Sequence, residues 1–235
     1  MTKSAGPEEF ACEEHEYDHA LDRGLRVSGE ARDFFARSRA TFLAERLRRI
    51  GERPGSVLDF GCGSGGSSRI LRDVLDAPEM VGVDVSERLL QSARTRYESP
   101  GLRFASPHKL TVETKFDLAF CNGVFHHIAP HERAAAVRYV REALRPGGLL
   151  ALWENNPWSP AARYVMSRIP FDQNAVMVWP KGIRRLLTRE GFDILSTDFW
   201  FVFPRSLKLL RFLEPWMTRL PLGAQYQILA RKSEP

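Results

Sequence analysis

At 235 residues, 43% hydrophobic and 27% charged, the chain can bury one large core without disulfides or metals, and the composition excludes a disordered or membrane-spanning protein. Its three cysteines, Cys12, Cys62 and Cys121, are odd in number and widely separated, which argues against a disulfide framework or a paired-cysteine zinc site. The net charge of +5 is spread over arginines interleaved with carboxylates, so nucleic acid is not an expected partner, whereas an anionic small molecule suits the planar arginine fork.

Residues 1–20 carry Glu8, Glu9, Glu13, Glu14, Glu16 and Asp18 and no apolar run fit for export or membrane spanning; a cytoplasmic protein without stable membrane insertion is expected. In residues 30–50, Phe34, Phe35, Phe42, Leu43, Leu47 and Ile50 recur at helical spacing, and Gly51 and Pro54 end the helix. A buried strand at 56–60, a glycine loop at 61–67 and a helix at 68–75 follow. Then come a strand at 80–85, a helix capped by Ser86 and running to about Tyr97, a weaker strand at 102–105 and a strand at 116–121. A helix at 131–144, a turn at Pro146-Gly147-Gly148 and a strand at 149–154 complete the alternation, which implies an α/β fold with a parallel sheet between helical layers.

After Glu154 the alternation breaks. Residues 155–178, with three prolines and several aromatics, read as an inserted cap, ahead of a helix at 181–190, a long strand at 192–203 and a last strand at 225–232. Between these strands Leu207, Leu210, Leu213, Trp216, Met217 and Leu220 form a helical stripe interrupted at Pro215, expected to pack on the sheet; an interfacial helix is the alternative.

Ligands in such sheets sit beyond the carboxyl ends of the strands, so the residues there carry the chemistry. Gly61, Gly63 and Gly66 by themselves also fit the dinucleotide pattern G-x-G-x-x-G, but Asp59 two residues earlier would repel a pyrophosphate, which favours a cationic guest. The run Asp59-Phe60-Gly61-Cys62-Gly63-Ser64-Gly65 resembles the first motif of class I S-adenosylmethionine-dependent methyltransferases. Phe116-Asp117-Leu118-Ala119-Phe120-Cys121-Asn122-Gly123-Val124-Phe125-His126-His127-Ile128 resembles the fourth motif of the small-molecule members, followed by the turn Leu144-Arg145-Pro146-Gly147-Gly148.

The resemblance implies a Rossmann-like doubly wound sheet of about seven strands, mostly parallel with the last antiparallel. It implies a single domain: an N-terminal helical cap (1–54), a cofactor-binding core (55–154), a substrate cap inserted after the fifth strand (155–180), and a C-terminal helix and strands (181–235). It places Asp59, Gly61, Cys62 and Gly63 against the methionine part of S-adenosylmethionine, with Asp59 near its ammonium. Asp84, 25 residues after Asp59, accepts from both ribose hydroxyls, with Val85 beside it. Adenine contact falls to backbone at Ala105 and Ser106 and to the Ser106 hydroxyl, because the usual polar residue there is missing. Asn122 and Gly123 inherit the methionine end and His127 the opening to the acceptor.

Methyl transfer from a sulfonium is an in-line displacement that needs alignment and dryness more than acid–base chemistry. Where the acceptor loses a proton, His126 or His127 is the candidate base; otherwise one packs and the other caps the turn. His126, His127 and His131 match no ligand spacing, so no metal is expected. Glu154, Asn155 and Asn156 either line the acceptor pocket or cap a turn. Arg163, Tyr164 and Arg168, with Trp158, Phe171 and Trp179, either close over a flat or anionic acceptor or form the cap's own core and surface.

The expected activity is methyl transfer to an O, N or C atom of a small metabolite, anionic ones included. The alternatives are a lipid or quinone acceptor at a membrane surface, a cofactor-binding accessory module without turnover, and a dehydrogenase. The oligomeric state is open.

Overall fold

The computed structural model describes residue 24 and residues 28–110, 115–169 and 175–234; the acidic N-terminal stretch, Cys12 and Phe171 lie outside them. Seven strands form one sheet in the order β3-β2-β1-β4-β5-β7-β6. They are β1 (Ser56–Phe60), β2 (Glu79–Val83), β3 (Leu102–Ala105), β4 (Phe116–Asn122), β5 (Leu144–Asn155), β6 (Phe192–Trp200) and β7 (Gln225–Lys232). Six run parallel, and β7 pairs antiparallel with both β5 and β6, as expected.

Helices α1 (Arg32–Arg49), α2 (Gly66–Leu75) and α3 (Glu87–Tyr97) cover one face; α4 (Arg133–Ala143) and α6 (Pro180–Arg189) cover the other. On the first face Phe42, Leu43 and Leu47 of α1 pack with Leu71, Leu90 and Trp153. Each such side chain removed from water contributes about 2 kcal/mol. On the second, Val137, Val140, Ile183 and Leu187 bury Phe116, Leu150 and Ile228. The inserted cap holds a short helix, α5 (Pro160–Arg168), capped by the Ser159 hydroxyl.

Two clamps fix how these layers meet. At the amino ends of the strands, Asp117 accepts from the Gly55 and Ser56 amides at 2.8 and 2.9 Å and from Arg145, which ties β1 to β4. On the α1 face, Arg46 donates to fully buried Asp198 of β6 at 2.7 Å, with the Ser196 hydroxyl on the other carboxylate oxygen at 2.6 Å.

The structure departs from the sequence reading in three places. Strand β5 begins at Leu144, not after the Pro-Gly-Gly turn, because Leu144 already pairs with Phe116 and the proline and glycines are absorbed in a register shift. Strand β6 stops at Trp200: Phe201 takes a left-handed φ of +66°, which swings the chain out of the sheet onto Phe34 and Phe35. And residues 205–220 are not a packed helix. They form a 3-10 helix, Arg205–Leu213, with no buried residue, and one turn of α-helix, α7 (Glu214–Met217), because Pro204 and Pro215 limit regular hydrogen bonding.

Candidate functional site

After β1 the chain turns through Gly61, Gly63 and Gly65, all at positive φ (+78°, +54° and +82°), a conformation that a side chain would strain. A Cβ on Gly61 would also stand 2.2 Å from Cγ2 of Val124, so the glycine lets the loop close against the stretch after β4. The loop's amides are already committed. Gly61 and Cys62 donate to the Val83 carbonyl at 2.8 and 3.0 Å, Gly65 to the Cys62 carbonyl at 3.1 Å, and Gly63 to Asp84 at 2.9 Å. A pyrophosphate is held by amides that point at it, and this loop spends four of its amides internally.

The acidic residues at the strand ends stand in different surroundings. Asp59 is buried and accepts from the Ser68 hydroxyl at 2.6 Å; burial pushes its pKa up to about 6 despite that bond. The nearby cation is Arg39 of α1, also buried, donating to Gln225 Oε1 at 2.9 Å, its pKa lowered by burial to about 10 with Asp59 opposing. Gln225 in turn donates to Asn155 at 3.1 Å, so α1, β5 and β7 are joined above the loop. Asp84 is half-buried, and its carboxylate is oriented by the Gly63 and Ser86 amides, both at 2.9 Å. Two bonds leave acceptor capacity on a carboxylate that has about four lone-pair sites. Burial raises the Asp84 pKa against those amide bonds. Val85 beside it is exposed.

At the end of β4, Asn122 Oδ1 is buried without a hydrogen-bond partner, a position that asks for a donor. Gly123 (φ +69°) follows, its amide tied to the Trp153 carbonyl at 2.9 Å, and the His126 ring lies against it: a Cβ there would be 3.5 Å from Cε1. His126 Nδ1 meets Glu154 Oε2 at 2.7 Å, and Glu154 Oε1 accepts the Phe125 amide at 2.7 Å; both side chains are buried. The His127 ring is half-buried and packs on His126, centroids 4.1 Å apart. This is a carboxylate-backed imidazole beside a left-handed glycine and an unpaired amide oxygen.

The methyltransferase domain family matches residues 58–150. A trans-aconitate 2-methyltransferase of Acidovorax sp. (strain JS42) is 33% identical over 199 residues, 75% of this chain and 76% of that one. The chain belongs to the class I S-adenosylmethionine-dependent methyltransferases.

A second trans-aconitate 2-methyltransferase, of Escherichia coli O157:H7, is 25% identical over 215 residues, 84% of this chain and 83% of that one. A third, of Methylobacterium radiotolerans, matches at 33% over 110 residues, where the chain spans less than half of that relative's length (42%). Among solved structures, a methyltransferase from Mesorhizobium loti has a TM-score of 0.56 at 23% identity, covering 80% of this chain and 96% of that one. The magnesium protoporphyrin IX methyltransferase of Synechocystis PCC 6803, with S-adenosylhomocysteine bound, has a TM-score of 0.60 at 19% identity over 90% and 86%. At these identities the likeness shows the fold.

As a methyltransferase, this chain uses S-adenosylmethionine, and the residues present suit it: an open side of Asp84 for hydroxyls, a buried acid and base for a zwitterion, and an unpaired amide oxygen. Several sequence expectations change in detail. The Cys62 side chain points into the core beside Gly82, and burial raises its thiol well above its ordinary range, so only its backbone belongs to the loop. Glu154 does not line an acceptor pocket; both its oxygens are taken by His126 and Phe125. Asn156 is a structural link, fully buried and donating to the Pro221 and Gly223 carbonyls at 3.0 and 2.7 Å.

Ala105 and Ser106 are half-buried at the end of β3, beside the Phe104 carbonyl that Arg94 anchors at 3.0 Å. On α5, Ala162 and Met166 face inward while Arg163, Tyr164 and Arg168 are exposed, Arg168 lying over the Tyr164 ring. Arg39 carries no sequence signal: among the arginines of α1 nothing in the sequence singles out the one on the buried face. A cavity of about 520 Å³ lies away from the loop, between the outer flank of α1 and the 200–218 segment, walled by Phe34, Phe42, Trp200 and Phe201.

Proposed function

We propose that this methyltransferase acts on a small polycarboxylate, forming a methyl ester at a carboxylate oxygen. The observation that carries the proposal is the buried His126–Glu154 pair against Gly123, where the acceptor would approach. Glu154 fixes the ring through Nδ1, and the ring beside Gly123 lines the place where an acceptor carboxylate would be held in line. The relatives named for trans-aconitate support an acceptor of this class.

The cofactor, when bound, supplies an electrophilic methyl group on a sulfonium. The ester C–O bond forms as the C–S bond breaks, the electron pair stays on sulfur, and no proton moves. In this chain Asp59 and Arg39 set opposite potentials for the ammonium and carboxylate of the methionine end. Asn122 Oδ1 accepts from the ammonium, and Asp84 accepts from the ribose hydroxyls. Ala105 and Ser106 border the adenine, and His127 lines the acceptor opening. Asn155, held by Gln225, and the exposed Arg163, Tyr164 and Arg168 of α5 form the rim over the acceptor, with arginine suited to its outer carboxylates.

The test incubates the full chain with S-adenosylmethionine and a panel of small di- and tricarboxylates, trans-aconitate first. A methyl ester should form in equal amount with S-adenosylhomocysteine. His126→Gln, which removes the ring that Glu154 holds beside Gly123, should lower kcat with trans-aconitate at least about tenfold and leave S-adenosylmethionine affinity near the wild-type value. An unchanged kcat in His126→Gln removes the ring from the acceptor site, and a panel without any ester ends the polycarboxylate reading.

A further inference from the structure

The connection between β6 and β7, residues 201–224, stands at the same edge of the sheet as the glycine loop, since β6 and β1 run in the same direction. Two of its charged groups are turned inward. Glu214, the only carboxylate in the stretch, accepts from the Val202 and Phe203 amides at 3.1 and 3.0 Å, and Arg211 lies on the Phe34 ring and pairs with Glu30 at 3.1 Å. What faces solvent is apolar: Leu209 is 82% exposed, Trp216 77%, Phe212 63% and Leu222 56%, with Leu207 and Leu220 about half exposed. A soluble surface scatters such residues, but here they are concentrated in 16 positions, from Leu207 to Leu222. Exposed Arg205, Lys208 and Arg219 flank them, while Glu214, the one carboxylate of the segment, is buried, and Arg219 stands 4.0 Å from buried Asp198 with most of its side chain in solvent.

We propose that this segment docks the protein on an anionic lipid surface. The tryptophan, phenylalanine and leucines enter the boundary between headgroups and acyl chains, and the three basic side chains meet lipid phosphates. A second copy of the chain is the poorer occupant. A two-fold contact through this patch would set Arg205, Lys208 and Arg219 against their own like charges. Among the described residues no helix is long and apolar enough to cross a membrane, so the attachment is peripheral and reversible.

The test floats the full chain with vesicles of phosphatidylcholine alone or mixed with phosphatidylglycerol, at low and high salt. Binding should be at least about tenfold tighter to the anionic vesicles and should weaken with salt. The double variant Leu209→Glu/Phe212→Glu should lose at least about tenfold, since it places charges where apolar contact is needed. Both side chains are exposed, so melting temperature and S-adenosylmethionine affinity should stay at the wild-type values, which separates this test from the site's assignment. Arg205→Glu/Lys208→Glu should remove the preference for anionic lipid. Absence of wild-type binding to anionic vesicles, or undiminished binding by Leu209→Glu/Phe212→Glu, overturns the proposal. So does a wild-type dimer in light scattering that this variant abolishes while neither protein binds vesicles.

Discussion

Asp84 and Asp59 are both acids at strand ends, and their surroundings give them separate tasks. Asp84 is oriented by two amides and keeps acceptor capacity, so Asp84→Ala should weaken S-adenosylmethionine about 100-fold in isothermal titration, the size expected for two hydrogen bonds to a charged group. Unchanged affinity would remove it from the ribose. Asp59 has a folded-state pKa of about 6, above the ordinary 3.8. The ionised form is therefore disfavoured by folding: the cost is absent at pH values well below 3.8 and complete above about 6. A bound ammonium offsets that cost and lowers the pKa, so binding at about pH 5.5 should release part of a proton and binding at about pH 8 none from this group. Titration in buffers of different ionisation enthalpy measures the difference, and Asp59→Asn should abolish it.

At the scale of elements, α1 meets the β6 edge through Phe42 packed on Trp200, centroids 4.6 Å apart, and through the Arg46–Asp198 ion pair. Removing Arg46 leaves Asp198 fully buried with the Ser196 hydroxyl and, among the described residues, Arg219 at 4.0 Å as its remaining cation, so Arg46→Ala should cost about 3 kcal/mol. For a chain of this length that lowers the melting temperature by roughly 6–12 °C, readable by calorimetry. The elements also show what the sequence could tell. Strands β1 to β4 and their helices follow from apolar runs, glycines and the Ser86 cap, because those signals are local. The segment after Trp200 did not, since a helical stripe looks the same whether its apolar face meets a sheet or solvent, and only the left-handed Phe201 reveals which way the chain leaves. Glu154 was legible as a polar strand end, but its partner is 28 residues away in sequence and comes from a neighbouring strand's exit, so the pairing with His126 required the fold.

Across the whole molecule, the proposed site draws on the carboxyl ends of β1, β2, β4 and β5 and on α1, so a ligand there would bridge elements far apart in sequence. Saturating S-adenosylmethionine at 100 times its Kd should then stabilise the protein by about 2.7 kcal/mol, raising the melting temperature by roughly 5–11 °C. A thermal shift with ligand that is absent for Asp84→Ala ties the effect to the strand ends. A shift that persists in that variant places the ligand elsewhere.

The amides of Gly61, Cys62, Gly63 and Gly65 have partners within the protein before any guest arrives. Their exchange with deuterium should already be slow in the free enzyme and change little on loading. The cradle is thus finished in advance, and the donor is spared the entropy of ordering it.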